Sequence, residues 1–465
     1  MSQVQLATSA VLGKDVARIR TDAEATEAEA RVRAILASGL SAEKAVQIAL
    51  VNNRGLQAAF AELAAGEAEA VEAGLPPSPT LSLARITGPI SGTGFGSALE
   101  IERQVLVNLL SLITLPRRRD IAEHRFEQAQ LRAIESVLTI AAETRRAYYQ
   151  AVASAQSVAF LEEAKLAADA ASEIAKRLGE TGAVNKLNQA REHAFYAELG
   201  AQLASAKLKL GGDRERLVRS MGLWGKDAQF KLPSKLPSLP STVKARSDIE
   251  AEAVDKRIDL QIVRMELDIL AKSYGLTRGT RFINVLEIAG MRNFEREESL
   301  TPKPPPEEDE FERTKTRWQG VELEIQIPIW DLGEARTRRA EEAYLQAVHR
   351  LAERAINVRS EVREAYARYR GTYDIARHYA KEILPLQQII SDETMLRYNA
   401  MVADLAALLV DARARILSNM AAIEAQRDFY LAMTDLQVAV IGGGVGTGGT
   451  ETPRLAAAGG EGPAH

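Results

Sequence analysis

One stretch limits the possible folds more than any other: residues 321–339, VELEIQIPIWDLGEARTRR. Val321, Leu323, Ile325, Ile327 and Ile329 alternate with Glu322, Glu324, Gln326 and Pro328. Strand side chains point to opposite faces in turn, so the pattern predicts a strand with one apolar face and one acidic or polar face. At Asp331-Leu332-Gly333 the alternation stops and a long helical repeat begins. Few soluble folds need a two-faced strand that opens directly into so long a helix.

The rest of the 465 residues is read around that join. Ala, Glu, Leu, Arg and Gln dominate and aromatics are only 5%, the composition of long helices and coiled coils. Lys+Arg is 59 against 63 for Asp+Glu, a net charge of -4 that points to no nucleic-acid partner. With no cysteine there is no disulfide, thiolate metal site, Cys nucleophile or N-terminal lipidated Cys. His124, His193, His349, His378 and His465 are scattered without metal-ligand spacing, and no P-loop is present. No catalytic residue, cofactor or bound metal is expected. No apolar run reaches the roughly 18 to 20 residues of a membrane-spanning helix. The first residues have no basic segment followed by an apolar one, which taken literally predicts a soluble cytoplasmic chain; the mature form of an exported protein looks the same.

Hydropathy and turn residues divide the chain into an N-terminal segment (1–40), a first unit (41–225), a Pro-rich linker (226–245), a second unit (246–441) and a disordered Gly-rich tail (442–465). In the first unit we expect one helix from about Ser41 to Ala73, stopped by Gly74-Leu75-Pro76-Pro77, and strands at 80–86 and 99–109 around a Gly-rich loop. A helix then starts at Pro116 and runs to about Leu178; Gly179–Gly182 is a tight break, and a return helix covers Asn185 to Met221. The second unit predicts a helix at 248–273, a strand at 282–289, a loop from Asn293 to Lys315, the opening strand, a helix from Glu334 to about Leu396, a break at 398–401 and a last helix to Val440. Leu131, Ile134, Leu138 and Ala141 follow coiled-coil spacing, as does the series from Tyr344 through Val348, Leu351 and Ala355 to Tyr369.

The two units repeat one another. Residues 143–148, ETRRAY, recur as EVREAY at 361–366; LEIE at 99–102 recurs as LEIQ at 323–326; Leu56-Gln57 recurs as Leu260-Gln261; Ala190-Arg191 recurs as Ala412-Arg413. Four matches in the same order on matching elements mean two structural repeats. The predicted class is mainly α with a small β part: long antiparallel coiled-coil helices plus four strands per chain. Four strands cannot close a membrane barrel, which needs about eight or more, and open edges are not tolerated in lipid. If these strands cross a membrane, several chains share one barrel mounted on a helical tube.

At this point the sequence resembles the TolC-like outer-membrane efflux factors. The residues that carry the likeness are 56–62 (LQAAFAE), 73–81 (AGLPPSPTL), the join at 327–336 (IPIWDLGEAR) and the doubled halves. The likeness covers about 41–441, and the wording around Arg54 and Glu424 is most like the metal-efflux branch. It implies a homotrimer with a twelve-stranded barrel in the outer membrane and an α-helical tunnel in the periplasm. It also implies that an adaptor protein and an inner-membrane pump engage the tunnel's far end.

Roles follow onto named positions. By resemblance Gly182, Ala183 and Val184, and Asn399, Ala400 and Met401, are hairpin tips that face the adaptor; ordinary hairpin turns would look the same. Family members carry acids just past the second tip; here Ala407 stands where one is expected, and Asp404 and Asp411 are the nearest substitutes for a constriction. Glu100, Glu102, Glu322 and Glu324 alternate with apolar residues, so in a barrel they line the lumen and favour cations. Trp318 and Trp330 bracket the opening strand as interfacial aromatics do. Arg117, Arg118 and Arg119, and Arg336, Arg338 and Arg339, follow a strand in each repeat. Arginines oppose the dipole at a helix start, so anionic headgroups are expected to favour them. The rival functions are a soluble coiled-coil scaffold or adaptor, and a duct for secreted polypeptides.

Overall fold

The computed structural model describes residues 2–89, 95–180, 185–243, 248–301, 310–400, 402 and 405–442. The gap segments include Gly182, Ala183, Val184, Met401, Asp404 and all but the first residue of the tail, so those expectations lie outside the described residues. Eleven α-helices and four strands are described: α1 (Ser2–Leu12), α2 (Asp22–Ala37), α3 (Ala42–Asn52), α4 (Arg54–Ala73), β1 (Thr80–Pro89), β2 (Phe95–Asn108), α5 (Leu109–Glu180), α6 (Lys186–Ser220), α7 (Ile249–Lys256), α8 (Ile258–Gly279), β3 (Val285–Thr301), β4 (Glu310–Gln326), α9 (Glu334–His378), α10 (Leu384–Asn399) and α11 (Leu405–Ile441). The order α3-α4-β1-β2-α5-α6 recurs as α7-α8-β3-β4-α9/α10-α11. Two compact units cut across this repeat: 1–58 with 134–259 and 357–465, and 59–133 with 260–356.

The first unit is helical. Its core gathers Tyr148, Tyr149, Val152, Tyr373, Phe429 and Tyr430 from α5, α9 and α11, with Tyr149 stacked on Tyr430 at 4.7 Å. The Pro-rich linker is strapped onto this core. Extended Pro-rich backbone makes no internal hydrogen bonds, so its carbonyls need outside donors. The Tyr430 hydroxyl donates to Pro237 O and Ser238 O, Gln426 Nε2 to Pro237 O, and the Tyr373 hydroxyl to Pro240 O and Ser241 O. Burial pushes the Tyr430 hydroxyl up to about 12, so it keeps the proton it donates.

Two helices predicted as continuous are broken, at Asn53 and at Arg257. The two residues are equivalent in the repeat and share one extended conformation, φ -67 and ψ 119 against φ -69 and ψ 122. Each break is tied to the end of its repeat's last helix. Asn53 Nδ2 donates to Ser220 O, and Asn52 Nδ2 to Gly222 O at 2.6 Å; Arg257 Nη1 donates to Ala439 O. Gly222 and Gly442, just past α6 and α11, both take positive φ, 68 and 98. A Cβ on Gly222 meets Asn52 O at 2.8 Å, which only glycine avoids. These long-range ties, absent from any local pattern, override helix periodicity.

The remaining helix corrections are local. Thr21 forms a capping box with Glu24 that opens α2, and the Ser41 hydroxyl caps α3. Asn185 caps α6 through Asn188 N at 2.8 Å. The predicted 334–396 helix is interrupted by a π-turn at Tyr379–Ile383, because Pro385 in the first turn of α10 has no N–H to continue the ladder.

The second unit holds the sheet and the helix segments that enter it. The strand order is β1-β2-β3-β4, all antiparallel, so the two repeats meet at β2–β3. The helix predicted from Pro116 begins at Leu109. Asn108 Oδ1 accepts from Ser111 N at 2.7 Å as its cap, and the same side chain donates to Glu287 Oε1 on β3 at 2.9 Å. Pro116 then falls in the second turn of α5. The largest correction is the predicted loop 293–315: β3 continues through it to Thr301 and β4 starts at Glu310. Residues 292–298, RNFEREE, carry charge on both faces, so no apolar alternation announces a strand; pairing with β2 and β4 makes it one.

Candidate functional site

Directly paired residues in an antiparallel ladder share a face. The register therefore sorts the sheet side chains without ambiguity. On one face, Glu102 pairs with Asn293 and Asn293 with Trp318; Ala289 pairs with Glu322; Glu287 pairs with Glu324; Glu100 pairs with Glu295. The four predicted lumen acids thus share one face. Glu287, Glu295, Glu297 and Glu312 join them, missed because three of the four lie in the segment read as a loop. No Lys or Arg of the described strands lies on this face. Asn293 Nδ2 reaches Glu102 Oε1 at 3.4 Å. Glu100–Glu295 and Glu287–Glu324 set like charges directly opposite, an arrangement that water or mobile cations must screen.

The other face is apolar next to the helices: Leu286 pairs with Ile325, Ile288 with Leu323, Val105 with Leu81. Val321, Leu323, Ile325, Ile327 and Ile329 are all exposed. The register also places Trp318. It shares the acid face with Glu322, opposite the side chains of Val321, Leu323 and Ile325. Trp330, 95% exposed, sits at the join beyond the last apolar strand residue.

The join is sterically closed. Asp331 Oδ1 accepts from Gly333 N at 3.1 Å and Asp331 Oδ2 from Ala335 N at 3.4 Å, which caps α9. Leu332 holds φ 48 and Gly333 φ 73. Arg336 Nη2 donates to Thr280 O at 2.6 Å, at the end of α8. A cation on a helix's terminal carbonyl is favourable, so Arg336 has an internal reason to be there as well as any lipid. Arg117, Arg118, Arg119, Arg338 and Arg339 are exposed, with Arg119 also paired to Glu123 at 3.0 Å.

At the hairpin end, Asn399 and Ala400 are exposed, and Ala400 N caps α10 on Leu396 O at 2.9 Å. Asp411, offered as a constriction residue, is buried. Sequence reasoning missed Glu192 on α6. It is 2% exposed, and its Oε2 has no hydrogen-bond partner. Glu192 continues the spacing of Phe195, Leu199 and Leu203, so a carboxylate in an apolar seam was its visible signal. Burial pushes its carboxyl above the usual range, partly opposed by Arg413. The raised value penalises the folded state once the unfolded carboxyl has ionised. Glu192→Gln is expected to raise the melting temperature at neutral pH. That gain shrinks to nothing as pH falls below the unfolded carboxylate range. Thermal melts across pH check it; a gain that persists in acid contradicts it.

Neither a protein-family model nor a curated protein sequence matches the chain. Solved structures do. The channel-forming protein CusC aligns at TM-score 0.68 and 15% identity over 86% of this chain and 91% of that one. The Campylobacter jejuni CmeC outer membrane channel aligns at 0.69 and 18% over 87% and 86%. The Neisseria gonorrhoeae MtrE outer membrane channel aligns at 0.64 and 15% over 86% and 88%. The chain has an outer-membrane channel fold. In this channel fold the two-faced sheet, the closed join and the paired long helices are the parts that the sequence pattern had marked. No described helix is long and apolar enough to cross a membrane, a fact that says nothing of the strands.

Proposed function

We propose that the chain is the outer-membrane exit duct of a tripartite efflux pump, working as a homotrimer without catalysis. One observation carries this: the described sheet has exposed apolar side chains on one face, acids on the other, and two edges, β1 and β4, that pair with nothing among the described residues. An edge as long as β4, with 17 residues, is an aggregation hazard unless another strand covers it. Pairing β4 of one copy with β1 of the next removes both edges, and three copies give a twelve-stranded barrel, within the range of membrane barrels. The apolar face then meets outer-membrane lipid and the acid face lines water.

The long helices extend the duct into the periplasm. Ile389, Ile390, Met395 and Leu396 on α10 and Val410 and Leu417 on α11 are exposed apolar side chains that fit neighbouring copies or an adaptor's helices. The tips at 182–184 and 399–401 meet the periplasmic adaptor, and an inner-membrane pump supplies cargo. The acid face favours cationic cargo, a class that includes basic small molecules and metal ions. A soluble scaffold has no use for the exposed apolar face.

The test is to express the chain behind an export signal, isolate the outer-membrane fraction, and measure size and single-channel currents. A trimer with cation-selective conductance is expected. Changing Glu100, Glu102, Glu322 and Glu324 together to Gln should move the cation-to-anion permeability ratio toward unity. An anion-selective pore, or a monomer absent from the membrane, removes the proposal.

A further inference from the structure

The apolar face of the sheet changes character partway along the strands. Taken row by row from the helix end, the first rows are Leu286–Ile325, Val107–Ile288–Leu323 and Leu81–Val105–Val321. In β4 the exposed apolar residues Val321, Leu323 and Ile325 alternate to the strand's end at Gln326, where the strand predicted to reach Ile329 stops, and the exposed Ile327 and Ile329 follow in the turn before α9. The next row sets Arg103 directly opposite Arg292. The one after it holds Arg85 and Arg317 at its ends, with Ile101 and Phe294 between. Then Arg296 pairs with Lys315, and Glu298 with Arg313.

Seven cations and one carboxylate therefore share this part of the face. Glu298 bonds Arg296 and Arg313, so its charge is already engaged. Among the described residues no carboxylate lies within ion-pair distance of Arg85, Arg103, Arg292, Lys315 or Arg317. Arg317 lies over the Phe294 ring at 5.6 Å and Arg313 over the Phe311 ring at 5.9 Å. Like charges directly opposite across strands are destabilising, and of three consecutive rows on this face the first and third each hold such a pair, Arg103–Arg292 and Arg296–Lys315. The many sheet carboxylates offer no relief, because they sit on the opposite face.

We infer that these rows form a binding belt for the phosphates of anionic lipid headgroups in the leaflet away from the helices. The inference rests on the duct proposed above. The belt begins at the first row that breaks the apolar series, where Arg103 faces Arg292. Phosphate between Arg103 and Arg292 converts a repulsion into two charge-assisted contacts, and guanidinium forks match phosphate oxygens. Aromatic rings among the arginines suit the same interface. The three arginines after each strand lie at the opposite, helix-side end, so this is a second and separate belt.

The experiment uses the full chain, exported and purified as an assembled protein. It is exchanged into phosphatidylcholine bilayers with and without phosphatidic acid, and retained lipid is measured by native mass spectrometry. Phosphatidic acid should be retained in preference to phosphatidylcholine. Arg103→Gln with Arg292→Gln should lower that preference about tenfold, while Arg103→Lys with Arg292→Lys should keep most of it and show that the fold tolerates change there. Inorganic phosphate at moderate concentration should not displace the lipid. No preference in a wild-type trimer that conducts overturns the belt and leaves the duct standing. Displacement by inorganic phosphate makes it a general anion site and also overturns the belt. A wild-type chain that forms neither trimer nor pore overturns both.

Discussion

Gly333→Ala is expected to prevent the strand-to-helix join from closing and to destabilise the protein by about 4 kcal/mol or more. Two independent costs combine. Gly333 takes φ 73, where a Cβ is strained by about 1–2 kcal/mol. That Cβ also overlaps the Arg281 carbonyl oxygen and comes within 3.2 Å of Arg281 Cα, atoms of the backbone that cannot swing aside as a side chain can. Relief requires moving the segment between α8 and β3, which unseats Arg336 from Thr280 O and the Asp331 cap from α9. Leu332, already at φ 48, leaves the turn no slack. Gly320→Ala is the matched control: a Cβ there meets nothing within 4 Å. Its effect should stay within about 0.5–1 kcal/mol. Thermal unfolding followed by circular dichroism in detergent separates the two. If both variants melt like the unaltered protein, the steric account of the join is wrong.

Arg257→Met is expected to cost about 3–5 kcal/mol, the usual result of removing one partner from a buried ion pair. Arg257 is 5% exposed. Its guanidinium reaches Asp259 at 3.0 Å, Glu361 at 2.5 Å and Ala439 O at 3.3 Å, so it joins α8, α9 and the end of α11. Met fills much of the same space, so packing changes little, but Asp259 and Glu361 lose this cation. Arg257→Met with Asp259→Asn should recover part of the loss, because the second change removes one of the two carboxylates that the guanidinium had faced. Arg257→Lys should fall between, since one ammonium cannot serve both carboxylates and a carbonyl in fork geometry. Chemical denaturation of the three variants checks the order; a double variant no better than the single one contradicts it.

Both residues lie where a local pattern stops being a guide. Residues 258–261 match 54–57, and that likeness marked a repeat, but it read as uninterrupted helix. The break at Arg257 becomes visible only when Ala439, 182 residues away, supplies the carbonyl that its guanidinium fills. Asn53 shows the same relation to Ser220. Gly333 stood in the recognised join; the Arg281 carbonyl that makes it irreplaceable did not.

The candidate site divides along the same line. Alternation in 99–109 and 321–329 placed Glu100, Glu102, Glu322 and Glu324 on one side of their strands. It could not place Trp318, because residues 310–320 have no apolar period and the face of Trp318 is set by its pairing with Asn293. Nor could it find Glu295 or Glu297, since that part of β3 is held as a strand by its neighbours on both sides; Glu287 lay inside the predicted strand and its face was set only by pairing with Glu324. Glu192 follows helical spacing in plain view, yet its burial depends on which helices cover it.

The sequence by itself determined the presence of long helices, their approximate starts at Ser41 and Asn185, the two-faced opening strand, the doubled order of elements and hence the class of fold. These are short-range properties: side-chain periodicity and capping act within one or two turns or along one strand, so a single segment carries the whole signal. The tertiary structure alone decided the extent of β3, the shared face of its acids with those of β2 and β4, the row-by-row change from apolar to basic on the other side, and the helix breaks at Asn53 and Arg257. Each depends on hydrogen bonds or register between residues far apart in sequence. A one-residue shift in register would exchange every face while leaving the local pattern of each strand untouched.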